Sequence, residues 1–248
     1  MYLIGDIGNT EIKIFLFKSN LKLIKRIRIP TVFLNNNILY SKLKFLKKYK
    51  NKINKVVFSS VVPSVFKMIK FILLKIIKKN CIELKKCKFN NLIKVKVNKK
   101  QIGSDRLSNA ISVIDNKNNY IIVDFGTATT FDVVIKNQYL GGIISPGVNL
   151  SLRTLISKAS MIPNIKLKTV KKILGKNTLH AVRSGFYWGY SGLITNVINK
   201  IFKQTKKKYK IIFTGGFAHF FKNSMPFTVT IDRNLTINGL LKIVHLII

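Results

Sequence analysis

Two stretches of this sequence place a carboxylate at the end of an apolar run and follow it at once with a glycine turn. Asp6-Ile7-Gly8-Asn9-Thr10 follows YLIG, and Asp124-Phe125-Gly126-Thr127 follows YIIV. A turn of this kind between two strands converges backbone N–H groups and hydroxyls on one point, which suits phosphate oxygens. An Asp aimed into the same space suits a hydrated Mg²⁺, which takes oxygen ligands and keeps several of its waters. One such turn alone reads as an ordinary hairpin with Asp in a turn position. A matched pair, with Thr214-Gly215-Gly216 after a third apolar run, points to a nucleotide held between two of them. It is not a Walker A site, because Gly175-Lys176-Asn177 lacks both the Ser/Thr and the upstream glycine, and no GxGxxG is present.

A third candidate is Gly103-Ser104-Asp105-Arg106. It sets an acid beside a base where a turn enters a helix. Asp105 is suited to take a proton from an attacking hydroxyl, and Arg106 to orient an anion. The tetrapeptide also reads as a helix N-cap with a solvent-exposed arginine. His180, His219 and His245 have no metal-ligand spacing.

The elements that must position these residues follow from periodicity. YLIGDIG and EIKIFLF predict two strands joined by the first turn, and LKLIKRIRIP a third. Residues 40–50 have helical spacing. KVVFSSVV reads as a buried strand, and Pro63 precedes an amphipathic helix with Ser64 as its cap. GSDRLSNAISVI predicts a turn into a helix. The pattern of apolar strand, Asp-X-Gly and second strand then recurs at YIIVDFGTATTFDVVI, followed by helical SLRTLISKAS, a long helix through HAVRSGFYWGYSG, and the strand KIIFTGG. The expectation is an α/β chain of two halves of similar design, 1–116 and 117–248.

Composition bounds the rest. The 248 residues are 47% hydrophobic, enough for a substantial core. Lys and Arg number 45 against 8 acids, a net charge of +37. Such a charge favours polyanions in general. Here the lysines are spread along the chain and accompany Asn, Ile and Phe, so AT-rich codon drift explains them more simply than a specific nucleic-acid partner. Arginine, the better phosphate and guanine reader, occurs only six times, at Arg26, Arg28, Arg106, Arg153, Arg183 and Arg233. Cys81 and Cys87 form no CxxC and read as reduced thiols. No signal peptide is legible, and the longest apolar stretch is interrupted by Lys67, Lys70 and Lys75, so no membrane span and a cytoplasmic location are expected.

Taken in order, DIGNTEIK (6–13), SSVVP (59–63), GSDR (103–106), DFGTATTFD (124–132), GGIISPG (141–147), NTLHAVRSG (177–185) and TGG (214–216) make the sequence resemble the type III pantothenate kinases. The resemblance implies two duplicated ribonuclease H-like halves of the actin-like ATPase fold, with ATP bound in the cleft between them. It implies ATP-dependent phosphorylation of pantothenate to 4'-phosphopantothenate, the first step toward coenzyme A. Asp6, Ile7, Gly8, Asn9, Thr10, Glu11, Ile12 and Lys13 would cradle the ATP phosphates, Asp6 through Mg²⁺ and Lys13 through charge. Thr127 would contact ATP. Gly103, Ser104, Asp105 and Arg106 would hold pantothenate, with Asp105 as general base and Arg106 on the substrate carboxylate. Asp124 would help bind a monovalent cation, K⁺ or NH₄⁺. Thr178 would reach pantothenate from the partner subunit of a homodimer. One departure stands out: Lys96 and Lys99 occupy positions where the family has an aromatic residue and a proline. The alternative is a non-catalytic member of the same fold, a regulatory or nucleic-acid-binding accessory factor. Retention of Asp6, Asp105, Arg106, Asp124 and Thr127 together favours the enzyme, because a binding-only descendant has no use for the base.

Overall fold

The computed structural model describes residues 1–246. In chain order the elements are β1 (Tyr2–Ile7), β2 (Glu11–Phe17), β3 (Leu23–Pro30), α1 (Asn36–Leu43), β4 (Lys55–Ser60), α2 (Pro63–Ile77), β5 (Ile82–Glu83), β6 (Lys94–Val95) and α3 (Ser104–Val113). They continue with β7 (Asn119–Phe125), β8 (Ala128–Ile135), β9 (Gln138–Pro146), α4 (Val148–Lys158), α5 (Thr178–Thr205), β10 (Lys210–Gly215), α6 (Ala218–Lys222), β11 (Val229–Ile231) and α7 (Leu235–Leu246). Two compact units result, one of Met1–Ile114 with Asn234–Ile248, the other of Asp115–Arg233.

The first unit is built on a five-stranded sheet ordered β3-β2-β1-β4-β5. β1 to β3 form an antiparallel meander; β4 pairs parallel with β1, and β5 parallel with β4. β1 and β4 are central, and Leu3 and Ile4 of the one and Val56, Val57 and Phe58 of the other are buried apolar residues, as expected of strands covered on both faces. β3, at the edge, carries Lys25, Arg26 and Arg28, and such charges discourage further strand pairing. α2 turns Val65, Ile69, Ile72, Leu73, Ile76 and Ile77 inward, each contributing roughly 1.5–3 kcal/mol of burial. Ser64 does not cap this helix. Its N-cap is Val62 without a side-chain bond, and Pro63 is the first helical residue, preset in φ and lacking a donor to satisfy. Ser60 shapes the entry instead, its Oγ accepting from the Val62 N–H at 3.1 Å.

In the second unit the strands run β9-β8-β7-β10-β11, with β7 to β9 an antiparallel meander and β10 and β11 parallel to β7 in turn. Order and directions match those of the first unit strand for strand, so the duplicated α/β design expected from the sequence is present. The core gathers Ile121, Val123, Phe125 and Phe131 from the sheet with Tyr187, Ile194 and Ile198 from α5 and Phe221 from α6.

The contacts group the C-terminal helix with the first unit, where a division of the chain at its midpoint had placed it with the second. α7 lies on α3. Ser108 Oγ donates to the Thr236 carbonyl at 2.7 Å, Thr236 Oγ1 to Asn109 Oδ1 at 2.8 Å, and Lys55 Nζ to the Val244 carbonyl at 3.0 Å. Gly239 sits where any Cβ would collide with the Ser108 backbone, so the two helices meet at a distance only glycine permits.

Candidate active site

The β1–β2 turn closes when the Gly8 N–H donates to the Glu11 carbonyl at 3.0 Å. The end of β3 is tied over it: Thr31 donates through Oγ1 to the Gly8 carbonyl at 2.8 Å and through its N–H to the Thr10 carbonyl at 3.0 Å. Asn9 and Thr10 are exposed at the tip, while Ile7 and Ile12 turn their side chains wholly into the core. What those two isoleucines can offer a ligand is therefore backbone alone. Glu11 lies 3.9 Å from Arg28 in a partly exposed ion pair.

The strand register lays a polar row across this sheet. Asp6 on β1 is opposite Lys13 on β2, Lys13 is opposite Arg28 on β3, and Asp6 is level with Ser59 on β4. Directly opposed residues share a face, so one carboxylate, one hydroxyl and two cations line up in sequence. Ser59 is fully buried, and its Oγ has no hydrogen-bond partner among the described residues.

The second unit repeats the row with different chemistry. Asp124 on β7 is opposite Thr130 on β8 and level with Thr214 on β10. Where the first unit has Lys13 and Ser59, the second has two threonines, so Asp124 lies in an oxygen-rich setting rather than a cationic one. Its turn closes with the Gly126 N–H donating to the Ala128 carbonyl at 3.0 Å. It is braced by the Gly147 N–H on the Thr127 carbonyl at 3.1 Å and the Gly216 N–H on the Phe125 carbonyl at 3.0 Å. Gly215 has a φ of +83°, and a Cβ there would strike Phe125 O and Asp124 Oδ1. Thr127 is exposed at the tip.

These donor sets bear on metal binding. Among the described residues no group of three or more His, Cys, Asp or Glu forms a metal cage. Mg²⁺ does not need one, since it is commonly held by one or two carboxylates, phosphate oxygens and waters. Asp6 with the orphaned Ser59 hydroxyl beside it fits that requirement. A monovalent cation, which takes neutral oxygens with a single carboxylate, fits Asp124 with Thr130 and Thr214.

The third candidate opens α3. Gly103 is the N-cap, with no side chain to bond the helix, and Ser104 is the first helical residue. Asp105, partly buried, folds back so that Oδ1 accepts the Arg106 N–H at 2.8 Å. Burial pushes the Asp105 carboxyl above the usual carboxylate range, outweighing that bond and the nearby Arg106 charge. Ser104 is buried and its Oγ donates to Glu83 Oε1. Lys96 is exposed, and Lys99 extends to Asn90 Oδ1 at 2.9 Å.

Thr178 is the exposed first residue of α5, whose N-cap Asn177 accepts the His180 N–H at 2.9 Å. The strap leading to it leaves Met161, Ile173 and Leu174 largely exposed, at 88%, 69% and 84%. Both cysteines are free. Burial, then the Glu83 charge, pushes the Cys87 thiol up to about 11, which keeps it protonated and unreactive at neutral pH.

Sequence reasoning singled out the whole of 6–13 and, in the second turn, Asp124 and Thr127, but not Ser59, Thr130, Thr214 or Glu83 as site residues. Of these, Thr130 alone was legible through hairpin register, by stepping the second strand back against Asp124, whereas Ser59 and Thr214 come level with their Asp only when distant strands pair in parallel. Glu83 lies on a two-residue strand and had no local signal.

Known proteins resemble this chain along its whole length. A family model of type III pantothenate kinases matches residues 2–200. A type III pantothenate kinase of Pelagibacter ubique is 54% identical over 247 residues, covering all of both chains. One from a Sulfurihydrogenibium species is 35% identical, covering 97% of this chain and 98% of its own. Among solved structures, a Campylobacter jejuni protein named for the Baf family of transcriptional activators aligns with a TM-score of 0.60 at 20% identity, covering 98% of this chain and 96% of its own. A Porphyromonas gingivalis protein named as an N-acetylglucosamine kinase aligns at 0.53 and 12%, covering 99% of each. At such identities these two speak to the fold alone.

Proposed function

The chain belongs to the type III pantothenate kinase family, and from that premise we infer that it transfers the γ-phosphoryl group of ATP to the primary hydroxyl of pantothenate, giving 4'-phosphopantothenate and ADP at the first step toward coenzyme A. The observation that carries the reading is Asp105, a carboxylate withdrawn from water at the start of α3 with its affinity for a proton raised. That is what a general base for a hydroxyl needs. As the hydroxyl oxygen attacks the γ-phosphorus in line with the departing ADP oxygen, its proton passes to Asp105. Phosphoryl transfer otherwise asks the protein for alignment and charge neutralisation rather than covalent chemistry.

The remaining roles follow. Residues 6–13 hold the triphosphate, with Lys13 supplying positive charge and Asp6 holding Mg²⁺, which, when bound, neutralises phosphate oxygens. Thr127 contacts the nucleotide from the second turn. Asp124, with Thr130 and Thr214 beside it, holds K⁺ or NH₄⁺. Gly103 and Arg106 hold pantothenate, Arg106 on its carboxylate, while Ser104 offers backbone alone, its buried hydroxyl being on Glu83.

The working form in this reading is a homodimer in which Thr178 of the second copy completes the acceptor pocket. Exposed Met161, Ile173 and Leu174 on the strap before α5 support it, since apolar side chains this exposed commonly mark an interface. Among the described residues no helix is long and apolar enough to cross a membrane. The reading includes a cytoplasmic location and no specific nucleic-acid or membrane partner; retention on duplex DNA at physiological salt would count against it.

The test is an ADP-coupled assay with pantothenate, run with and without K⁺ or NH₄⁺. Turnover that depends on the monovalent cation is expected. No turnover under either cation overturns the reading.

A further inference from the structure

Glu83 is one of only eight acidic residues in a chain of net charge +37, and residues 12–82 before it contain no acid at all. Its carboxylate is fully engaged. Oε2 accepts the Lys85 N–H at 2.9 Å, capping the short 3-10 turn Leu84–Lys86, and Oε1 accepts the Ser104 hydroxyl. The Lys85 side chain then reaches the Lys100 carbonyl at 3.3 Å, so the segment leading into α3 is held from the same turn. β5, where Glu83 lies, pairs with β4 and is thereby part of the sheet that carries Asp6.

Ser104 is the first helical residue of α3, directly before Asp105 and Arg106, and it is buried with 1% of its surface exposed. Gly103 gives the helix no side-chain cap. The start of α3 therefore lacks the usual anchor, and a charge-assisted bond from the sheet supplies one. A catalytic carboxylate must be held within a fraction of an ångström, and residues behind it decide whether it is.

We propose that Glu83 is a positioning residue for phosphoryl transfer, acting through Ser104 to lock the first turn of α3 so that Asp105 and Arg106 meet the acceptor. This rests on the pantothenate kinase reading for the acceptor's identity, while the Glu83–Ser104 contact stands apart from it. Glutamine at position 83 keeps the size of the side chain but removes the charge that strengthens both bonds and must reverse the donor at Ser104. Ser104→Ala removes the other half of the pair.

The experiment compares the full-length protein with Glu83→Gln, Ser104→Ala and the double variant. Steady-state kinetics are expected to show the pantothenate KM raised about tenfold in each single variant, the scale of a lost charge-assisted hydrogen bond, with the KM for ATP unchanged. The double variant is expected to be no worse than the poorer single one, because both remove the same interaction. Hydrogen exchange is expected to quicken at the Arg106 and Leu107 amides, now bonded to Asp105 Oδ1 at 2.8 Å and the Gly103 carbonyl at 3.0 Å, and not in the β1–β2 hairpin. Wild-type turnover with an unaltered pantothenate KM in both single variants overturns the proposal, as does a proportional rise in both substrates' KM. Unchanged exchange at those two amides overturns it too. If the wild type does not phosphorylate pantothenate, the family activity fails for this chain, and the exchange comparison alone decides whether Glu83 holds the turn.

Discussion

Asp6 stands directly opposite Lys13 across the β1–β2 hairpin, and Arg28 stands opposite Lys13 on the next strand. The carboxylate proposed to hold Mg²⁺ and the lysine proposed to meet phosphate thus share one face of one sheet. Lys13→Met should raise the KM for ATP about tenfold, as expected for loss of a charge-assisted phosphate contact, and leave the pantothenate KM within error. Equal effects on both substrates would remove Lys13 from the nucleotide site.

Asp105→Asn keeps shape and removes the proposed base. Turnover should fall by a factor on the order of 10²–10⁴, the usual worth of a general base, with an unchanged circular dichroism spectrum and melting temperature. An active Asp105→Asn protein would refute the assigned role.

The pH profile follows from the same residue. Burial raises the Asp105 proton affinity above that of a free carboxylate, and only the deprotonated form accepts the hydroxyl proton. kcat/KM for pantothenate should therefore fall as pH is lowered, with the acid limb above the ordinary Asp value of about 3.9. A limb at or below that value would show that Asp105 is not the titrating base.

At Asp124 the neighbours are Thr130 and Thr214. Thr130→Val should raise the K⁺ concentration needed for half-maximal activation several-fold, with the ATP KM at saturating K⁺ close to wild type, because a neutral oxygen ligand is lost while the carboxylate remains. A titration of rate against K⁺ reads this directly, and an unshifted curve would place the cation elsewhere.

Away from the site, Asp115 accepts the Lys117 and Asn118 N–H groups and the Tyr120 hydroxyl, which it takes at 2.6 Å. Burial, then the bond to Asp115, pushes the Tyr120 hydroxyl up to about 12. A raised folded-state value means that this contribution is complete below the unfolded tyrosine value of about 10 and is lost as pH rises from there toward 12. Tyr120→Phe should lower stability at pH 7 by about 1 kcal/mol and flatten the decline above pH 10, as urea unfolding at several pH values would show.

The partners of the acids also refine the account of composition. Glu11 faces Arg28, Glu83 takes Ser104, Asp105 its own helix, Asp115 its turn, and Asp132 the Tyr139 hydroxyl at 2.6 Å. Each of these carboxylates thus stands where a specific donor meets it, so its substitution would strand that donor.

The sequence by itself determined the repeated strand–Asp-X-Gly–strand unit, the helix opening at GSDR and the family, because turn chemistry and apolar periodicity are local and survive in one dimension. It could not decide which residues stand beside each Asp, since Ser59 and Thr214 reach their places only when distant strands pair in parallel. Nor could it assign α7 to the first unit, a choice made by the close approach of Gly239 to Ser108. Glu83 and Ser104 are the plainest case. Their contact joins a two-residue strand to a helix start, and only packing brings a carboxylate from one to a hydroxyl on the other.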